Sequence, residues 1–315
     1  MARRAKGAPV HGWLNLDKPI GMTSTQAVGR VRRIFNAQKV GHGGTLDPLA
    51  TGILPIALGE ATKTVPFLVA AEKEYRFILA WGSTRTTDDA EGDIIATSDV
   101  RPDACAIQAA LPRFIGDISQ IPPQFSAIKV AGKRAYALAR AGESVALKPR
   151  QICVRDLRLS GQSDCDHAEF DVVCGKGTYV RALARDLAVA LGTCGHVVQL
   201  RRTRVGVFES SRAIGLDKLE ELGHSGASFE HLHPVETVLD DIPALAVAGL
   251  EAIRLRQGQA ISLTRSQADQ VRGHDLAYAA EGSQIVALGD IRAGQFCPTR
   301  VFNLPRKGAI DVDYN

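Results

Sequence analysis

The chain has 315 residues, and its 45% hydrophobic content is enough to bury one large core or two unequal ones. The charged fraction of 23% and the formal net charge of +4 are ordinary, so an anionic partner would have to meet a local basic patch. No apolar run reaches the ~18 to 20 residues of a membrane span, and the six cysteines include no Cys-x-x-Cys pair, so we expect a soluble, cytoplasmic protein with reduced thiols and no metal site.

The first predicted elements are a basic tail, a strand and a helix. Residues 1–10 form the tail, and residues 12–18 have the pattern of a short strand that stops at Pro19. The segment from Thr23 to Asn36 then places apolar residues at helical spacing, which predicts an amphipathic helix. Its other face carries three arginines, namely Arg30, Arg32 and Arg33.

Residues 41–60 contain five glycines and two prolines, which predicts an irregular loop that is anchored by its apolar residues. The glycines complete neither a dinucleotide-binding motif nor a Walker motif, so nucleotide binding is disfavoured. What remains is the carboxylate of Asp47, which Pro48 keeps out of helical geometry on a backbone that another chain can approach closely. The alternative is that Asp47 only organises an Asx turn.

A clean strand and a long basic stretch follow. Glu74 to Trp81 alternates, with Tyr75 on the same face as the core residues. Residues 82–92 are polar and predict a loop. Beyond Pro122, the chain is rich in Lys and Arg as far as residue 150, which predicts a solvated arm with Lys129, Lys133, Arg134, Lys148 and Arg150.

A second strand, residues 168–174, turns through glycines into a helix that we predict to be capped by Thr178 and to end at Gly192. Tyr179 and Arg181 fall in the first turn of this helix. A late basic strand contains Arg201, Arg202 and Arg204.

The pattern of apolar residues and turns restarts near residue 245, with short strands predicted at 260–263, 285–288 and 299–302. The predicted fold class is therefore α+β. The first domain is predicted to span residues 11–244. A small β-rich domain occupies residues 245–315.

Several segments together resemble the bacterial TruB family of tRNA pseudouridine-55 synthases, and they occur in family order between about residues 11 and 210. The sharpest is the loop from Gly41 to Gly52. The others are residues 14–24, 73–77, 121–140, 177–181 and 198–204. One departure is Phe125, where the family commonly has tyrosine, and loss of a hydroxyl leaves the apolar packing in place.

The resemblance implies catalysis without a cofactor, with Asp47 as the nucleophile in breaking the glycosidic bond of a flipped-out uridine. Tyr75 would stack on the base and help to remove the C5 proton. Arg181 would pair with Asp47 and keep it ionised. From spacing alone, the ordinary interpretation is a core tyrosine for Tyr75 and a solvated helical arginine for Arg181.

The resemblance implies that residues 11–244 are a catalytic domain with the pseudouridine synthase fold, which has a mixed, mainly antiparallel sheet, and that residues of about 121–150 are an insertion in it. It also assigns the residues around the base. His42 would occupy the space that the flipped base vacates, Tyr179 and the backbone of Leu200 would line the uracil pocket, and the C-terminal region would be a PUA-like domain that contacts the acceptor side of tRNA. Without the resemblance, His42 would be interpreted as a surface residue and Leu200 as a core residue. Phosphate contacts are expected from Lys129, Lys133, Arg134, Arg201 and Arg202.

The expected partner is the T-loop and stem of tRNA, bound by a monomer without a guide RNA. Two other readings remain open. A related class of pseudouridine synthases works inside a guide-RNA ribonucleoprotein, but the long insertion at 121–150 resembles the stand-alone type. A non-catalytic RNA-binding module is the second, and the set of Asp47, Tyr75 and Arg181 argues against it.

Overall fold

The computed structural model describes residues 7–126, 128–130, 133–134, 136 and 147–305. Residues 1–6 of the predicted tail and residues 137–146 of the predicted arm lie outside the described part of the chain. Within that part, no helix has the length and apolarity needed to cross a membrane.

Short helices alternate with strands along the catalytic region. The described α-helices, in chain order, are α1 (Ser24–Ile34), α2 (Val65–Ala70), α3 (Ala104–Ala110), α4 (Val180–Ala190), α5 (Leu216–Gly223), α6 (Gly249–Arg256) and α7 (Arg265–Gln270). Short 3-10 helices lie at Gly59–Lys63, Leu111–Phe114, Ser210–Arg212, Ala227–His231 and Val235–Val238.

The strands of the first part of the chain are β1 (Gly12–Lys18), β2 (Val40–His42), β3 (Thr51–Leu58), β4 (Lys73–Trp81), β5 (Ser83–Arg85), β6 (Ile94–Thr97), β7 (Gly116–Gln120), β8 (Lys129–Val130) and β9 (Lys133–Arg134). They continue with β10 (Arg150–Gly161), β11 (His167–Cys174), β12 (Gly195–Val205), β13 (Phe208–Glu209), β14 (Ile214–Gly215) and β15 (Leu232–His233). The last five are β16 (Ala244–Ala246), β17 (Ile261–Ser262), β18 (Leu276–Glu281), β19 (Gln284–Arg292) and β20 (Gln295–Val301).

One large mixed sheet carries the catalytic region. Its strand order is β14-β1-β3-β12-β4-β11-β10-β7, with β2, β13 and β15 paired at its sides. Most pairs are antiparallel, and the β1–β14 and β3–β12 pairs are parallel. The core combines sheet residues such as Phe77 with helix residues such as Val31 and Leu183. The predicted mixed, mainly antiparallel sheet is confirmed.

A second sheet of five strands, in the order β16-β18-β19-β20-β17, forms the β-rich C-terminal region. The three predicted strands correspond to β17 and to parts of β19 and β20, whereas β16 and β18 were not predicted. An apolar cluster joins the two sheets, since Ile285, Leu288 and Phe302 pack with Trp13 and Ile53. The β-rich region is thus fixed against the catalytic sheet.

Two local predictions are wrong. The irregular loop predicted for residues 41–60 is only eight residues long, because Thr51–Leu58 forms the central strand β3, which is buried on both faces and so does not alternate. Thr178 does not cap α4. The N-cap is Tyr179, whose side chain makes no cap bond, while the Thr178 hydroxyl donates to Gly175 O at 3.2 Å.

Candidate active site

Residues 43–50 form the loop of the β2–β3 hairpin, and its backbone is held by the start of α1. The Ser24 hydroxyl accepts from Leu46 N at 2.8 Å and donates to Leu46 O at 3.0 Å. Gly21 N donates to Pro48 O at 2.9 Å. The Leu46 side chain is buried, which confirms the predicted apolar anchor. Both residues next to Asp47 are therefore fixed.

The buried side chains of Lys18 and Arg202 donate hydrogen bonds to backbone carbonyls of the same loop. Lys18 is fully buried, and its Nζ donates to carbonyls that include Met22 O at 2.7 Å and Pro48 O at 3.4 Å. Burial lowers the pKa of Lys18 to about 8, and the charge of Asp47 opposes that shift.

Arg202 was predicted to bind the RNA backbone, and that prediction is wrong because the side chain is only 1% exposed. Its guanidinium donates to Ile53 O at 2.7 Å, Gly44 O at 3.0 Å and Thr45 O at 3.4 Å. These bonds tie β12 to the loop that carries Asp47.

Asp47 and Arg181 form an ion pair. Arg181 Nη2 lies 2.9 Å from Asp47 Oδ2, and the Asp47 side chain is 38% exposed while that of Arg181 is 5% exposed. The carboxylate thus faces open space from one side and a buried cation from the other. A buried guanidinium in this position orients the carboxylate.

Arg181 has further partners that fix it in turn. Its Nη1 donates to Thr87 O at 2.6 Å and lies 3.3 Å from Asp89 Oδ2, and its Nη2 donates to Phe125 O at 3.0 Å. Asp89 is buried. One helical turn on, Arg185 pairs with Asp88 at 2.9 Å. Two arginines on one face of α4 therefore form ion pairs with the loop that follows β5.

Tyr75 lies on β4, half-buried, and packs against the main core. It is directly opposite Arg202 on β12 and Val172 on β11. Burial raises the pKa of the Tyr75 phenol, and the charge of Arg202 opposes that rise. The charge of Asp47 raises the same pKa further.

The residues predicted to surround the base lie on separate elements near this loop. His42 ends β2, and its Nδ1 accepts from Gly44 N at 3.3 Å. Burial and the charge of Arg202 lower the pKa of His42, which favours the neutral ring. Tyr179 is held through its backbone by the buried side chain of Gln120, which bonds to both Tyr179 N and Tyr179 O. Leu200 is 8% exposed and lies opposite Phe77, so its side chain is part of the core.

The remaining basic residues differ in their exposure and in whether they already pair with an acidic side chain. Arg201 is 39% exposed and makes a bidentate pair with Asp17, at 3.1 and 2.6 Å. Arg30 pairs with Glu220 and Arg204 with Glu74. Lys148 and Arg150 are exposed. The side chains of Lys129, Lys133 and Arg134 lie outside the described residues, so their phosphate contacts stay a prediction.

Sequence reasoning missed Lys18, Ser24, Asp89 and Gln120. Each of them contacts the backbone or the charged group of a residue that was predicted. For the last three, the two partners are 22 to 92 positions apart in the sequence, so no local sequence pattern indicates the contact. Lys18 alone carried a signal, since a lysine at the buried end of an apolar strand needs internal acceptors.

The arrangement suits chemistry that uses a carboxylate and a phenol. Among the described residues no three His, Cys, Asp or Glu side chains are grouped to hold a metal ion. What the site offers is one oriented, accessible carboxylate, a buried guanidinium behind it and a tyrosine beside it.

Comparison with protein families gives two matches that meet end to end. The N-terminal domain of TruB family pseudouridylate synthases matches residues 32–180, and the C-terminal domain of tRNA pseudouridylate synthase B matches residues 181–240. The tRNA pseudouridine synthase B of Caulobacter vibrioides is 58% identical over 309 residues, which cover 96% of this chain and 100% of the relative. That of Rhodospirillum rubrum is 51% identical over 308 residues, with the same coverage of both chains.

Solved structures share the fold at lower identity. A chain of a Cbf5–Nop10–Gar1 complex superposes with a TM-score of 0.70 and 25% identity, covering 96% of this chain and 90% of that chain. A chain of an H/ACA RNP bound to a substrate RNA containing 2′-deoxyuridine gives a TM-score of 0.70 at 23% identity, covering 97% and 92%, and this likeness concerns the fold alone.

Proposed function

Because this chain belongs to the TruB family of pseudouridylate synthases and is an isomerase that acts on tRNA, we propose that its target is the T-loop uridine at position 55. The base is flipped out of the tRNA, its glycosidic bond is broken, and C5 of the uracil is joined to the ribose. Asp47 is the nucleophile. No redox carrier or Lewis acid is required by an isomerisation of this kind.

The ion pair between Asp47 and Arg181 is the observation that carries the proposal. It leaves one face of the carboxylate accessible while the buried guanidinium fixes its orientation. A nucleophile that is fixed before the substrate arrives loses little entropy in the reaction. The bonds from Ser24 and Lys18 to the neighbouring backbone support the same reading, since they fix Asp47 through Leu46 and Pro48.

The pocket for the flipped uracil is formed by Tyr75, Tyr179 and the backbone of Leu200. A half-buried tyrosine beside the carboxylate offers a stacking surface for the base and an oxygen for the C5 proton. His42 takes the space that the base leaves. Its lowered pKa supports a neutral ring that makes contacts rather than a proton-transfer group.

The tRNA is held by exposed basic residues around the pocket. Lys129, Lys133 and Arg134 of the insertion and Arg201 beside Asp17 contact phosphates of the T-loop and stem, and the C-terminal domain contacts the acceptor side. Guide-RNA-dependent action is the alternative, since a Cbf5 complex shares the fold. The full-length relatives at 51% and 58% identity, each a tRNA pseudouridine synthase B, favour stand-alone action on tRNA.

Tritium release from C5-labelled uridine tests the proposal directly. The purified chain is mixed with an unmodified tRNA transcript, with no other RNA present, and the product is mapped by nucleoside analysis. We expect release of one tritium per tRNA and pseudouridine at position 55 only.

The matched control is the same transcript with cytidine at position 55, which should release no tritium above background. Activity should survive EDTA once the tRNA is folded. Pseudouridine at another position, or a requirement for added RNA, would contradict the proposed target.

A further inference from the structure

Arg202 is a buried cation that lacks an acidic partner among the described residues. Its guanidinium donates to the carbonyls of Gly44, Thr45 and Ile53, which are neutral groups. A guanidinium at 1% exposure is costly to desolvate, and carbonyls orient it without cancelling its charge. A neutral hydrogen-bond donor could also hold the backbone of this loop, so the positive charge of Arg202 indicates a further role.

The strand register places Arg202 between Tyr75 and Gly52. Tyr75 on β4 is its antiparallel partner, and residues directly opposite on neighbouring strands project to the same face. The guanidinium carbon lies 6.0 Å from the centroid of the Tyr75 ring. On the other side Gly52 has φ +99°, and a Cβ there would lie 2.1 Å from Arg202 O, so β3 closes tightly against the arginine.

Three groups act electrostatically on the Tyr75 phenol from the elements around it. Burial raises the pKa of Tyr75, and Asp47 on the loop and Cys174 on β11 raise it further. Arg202 on β12 lowers it. Cys174 is itself buried, and burial raises the pKa of its thiol to about 11, so it is neutral in the physiological range. Arg202 is thus the group that favours a negative oxygen at Tyr75.

We propose that Arg202 is a positioning residue of the isomerisation, which joins the loop of Asp47 to Tyr75 from beneath and stabilises the Tyr75 oxygen when that oxygen carries negative charge. The inference rests on the proposed function and deepens it. The Arg202 guanidinium fixes the backbone of Gly44 and Thr45, which precede Asp47, and it lies over the Tyr75 ring. The nucleophile and the proton acceptor are therefore both held by the same side chain.

After C5 has bonded to the ribose, the Tyr75 phenol gives its own proton to water and its oxygen takes the C5 proton, which restores the neutral phenol. The electron pair of the C5–H bond forms the C5–C6 double bond, the C6–N1 π pair moves to N1, and N1 takes a proton from water. Arg202 stays charged throughout, since a guanidinium does not deprotonate in proteins.

Titration of Tyr75 in the full chain tests this. 3-Fluorotyrosine is placed at position 75, and its ionisation is followed by the fluorine NMR shift. We expect Arg202→Met to raise the pKa of that tyrosine by about 1 to 2 pH units, and Arg202→Lys to raise it less because a cation is retained. Ser24→Ala is the matched control: it also releases the loop but contributes no charge, so the pKa should stay within about 0.3 units.

The same substitutions, made in the chain with natural Tyr75, are then compared by single-turnover tritium release at saturating enzyme. Arg202→Met should slow release about 10- to 100-fold with tRNA affinity within about threefold, and Arg202→Lys should restore part of the rate. If the tyrosine titrates alike in Arg202→Met and the parent, Arg202 only braces the loop and the proposal is overturned. The titration needs no tRNA, so it is readable even if the parent fails to modify position 55.

Discussion

The protein handles two sets of cations in different ways. Lys18, Lys73 and Arg202 are buried around the Asp47 loop and the start of β4, and their side chains donate to backbone carbonyls. Arg76, Arg201 and Arg204 are more exposed and already paired with Asp or Glu. Within the first set, Lys18 and Arg202 keep their positive charge next to the loop that carries Asp47. The second must give up a carboxylate before it can bind a phosphate, so we expect it to contribute less.

Apart from loss of the nucleophile itself, the largest expected effect comes from the buried arginine that pairs with it. Arg181→Gln removes the partner of Asp47 and leaves Asp89 buried without its cation, so the single-turnover rate should fall by about two to three orders of magnitude, with tRNA affinity within about tenfold. The measurement is tritium release at saturating enzyme.

Arg185→Gln is its control, because Arg185 lies one turn further along α4 and pairs with Asp88 instead. Both variants should lose stability, but Arg185→Gln should keep the rate within about tenfold. Equal losses of rate would mean that α4 only needs its buried pairs for folding.

The next effect belongs to the insertion. Lys129→Gln with Lys133→Gln should weaken tRNA binding about tenfold or more and lower the slope of log affinity against log salt by about one unit per lost contact, while the saturated rate is retained. Filter binding at several salt concentrations checks this. Lys218→Gln, an exposed lysine paired with Glu221, is the control and should leave the slope unchanged.

The buried lysines should give the protein a distinctive dependence of stability on pH. Burial lowers the pKa of Lys73 from 10.5 to about 8, so between those values the unfolded chain binds more protons than the folded one and the Lys73 contribution rises with pH. From pH 7.5 to 9.5 that gain is about 1 to 2 kcal/mol. Urea unfolding should show a smaller gain in Lys73→Met than in the parent. An identical gain in both proteins would show that Lys73 keeps its ordinary pKa.

The smallest effect is expected at an exposed arginine that is already paired. Arg201→Gln removes one cation but also frees Asp17, so tRNA affinity should fall only about two- to threefold. A loss of tenfold or more, measured in the same binding assay, would place Arg201 with the insertion lysines rather than with the paired set.

Much of the fold followed from periodicity in the sequence. The helix from Thr23 and the strand at Glu74 to Trp81 were located within a residue or two, because each buries one face and so alternates with its own period. Strand β3 was missed because it is buried on both faces and contains Pro55, which suggested a break. The Pro55 carbonyl accepts from Gly43 N, so hydrogen bonding between β3 and the β2 side continues at the proline.

The prediction of the candidate site succeeded for the pair of Asp47 and Arg181, which the motifs named. It failed where the two-residue period of a strand was ignored. The pairing of Asp47 with Arg181 was predicted from the resemblance, and the geometry has it at 2.9 Å. Arg201 and Arg202 were treated as one basic run, yet neighbours on a strand face opposite sides, so Arg201 is exposed and Arg202 buried. The partnership of Arg181 with Asp89 joins positions 92 apart, and no local pattern could have shown it.

Single-turnover tritium release by Asp47→Asn tests the central claim most directly. The substitution keeps shape and most polarity but removes the nucleophilic charge, so the rate at saturating enzyme should fall by several orders of magnitude while tRNA affinity stays within about tenfold. If Asp47→Asn releases tritium at near the parent rate, Asp47 is not the nucleophile, and another residue must carry the chemistry.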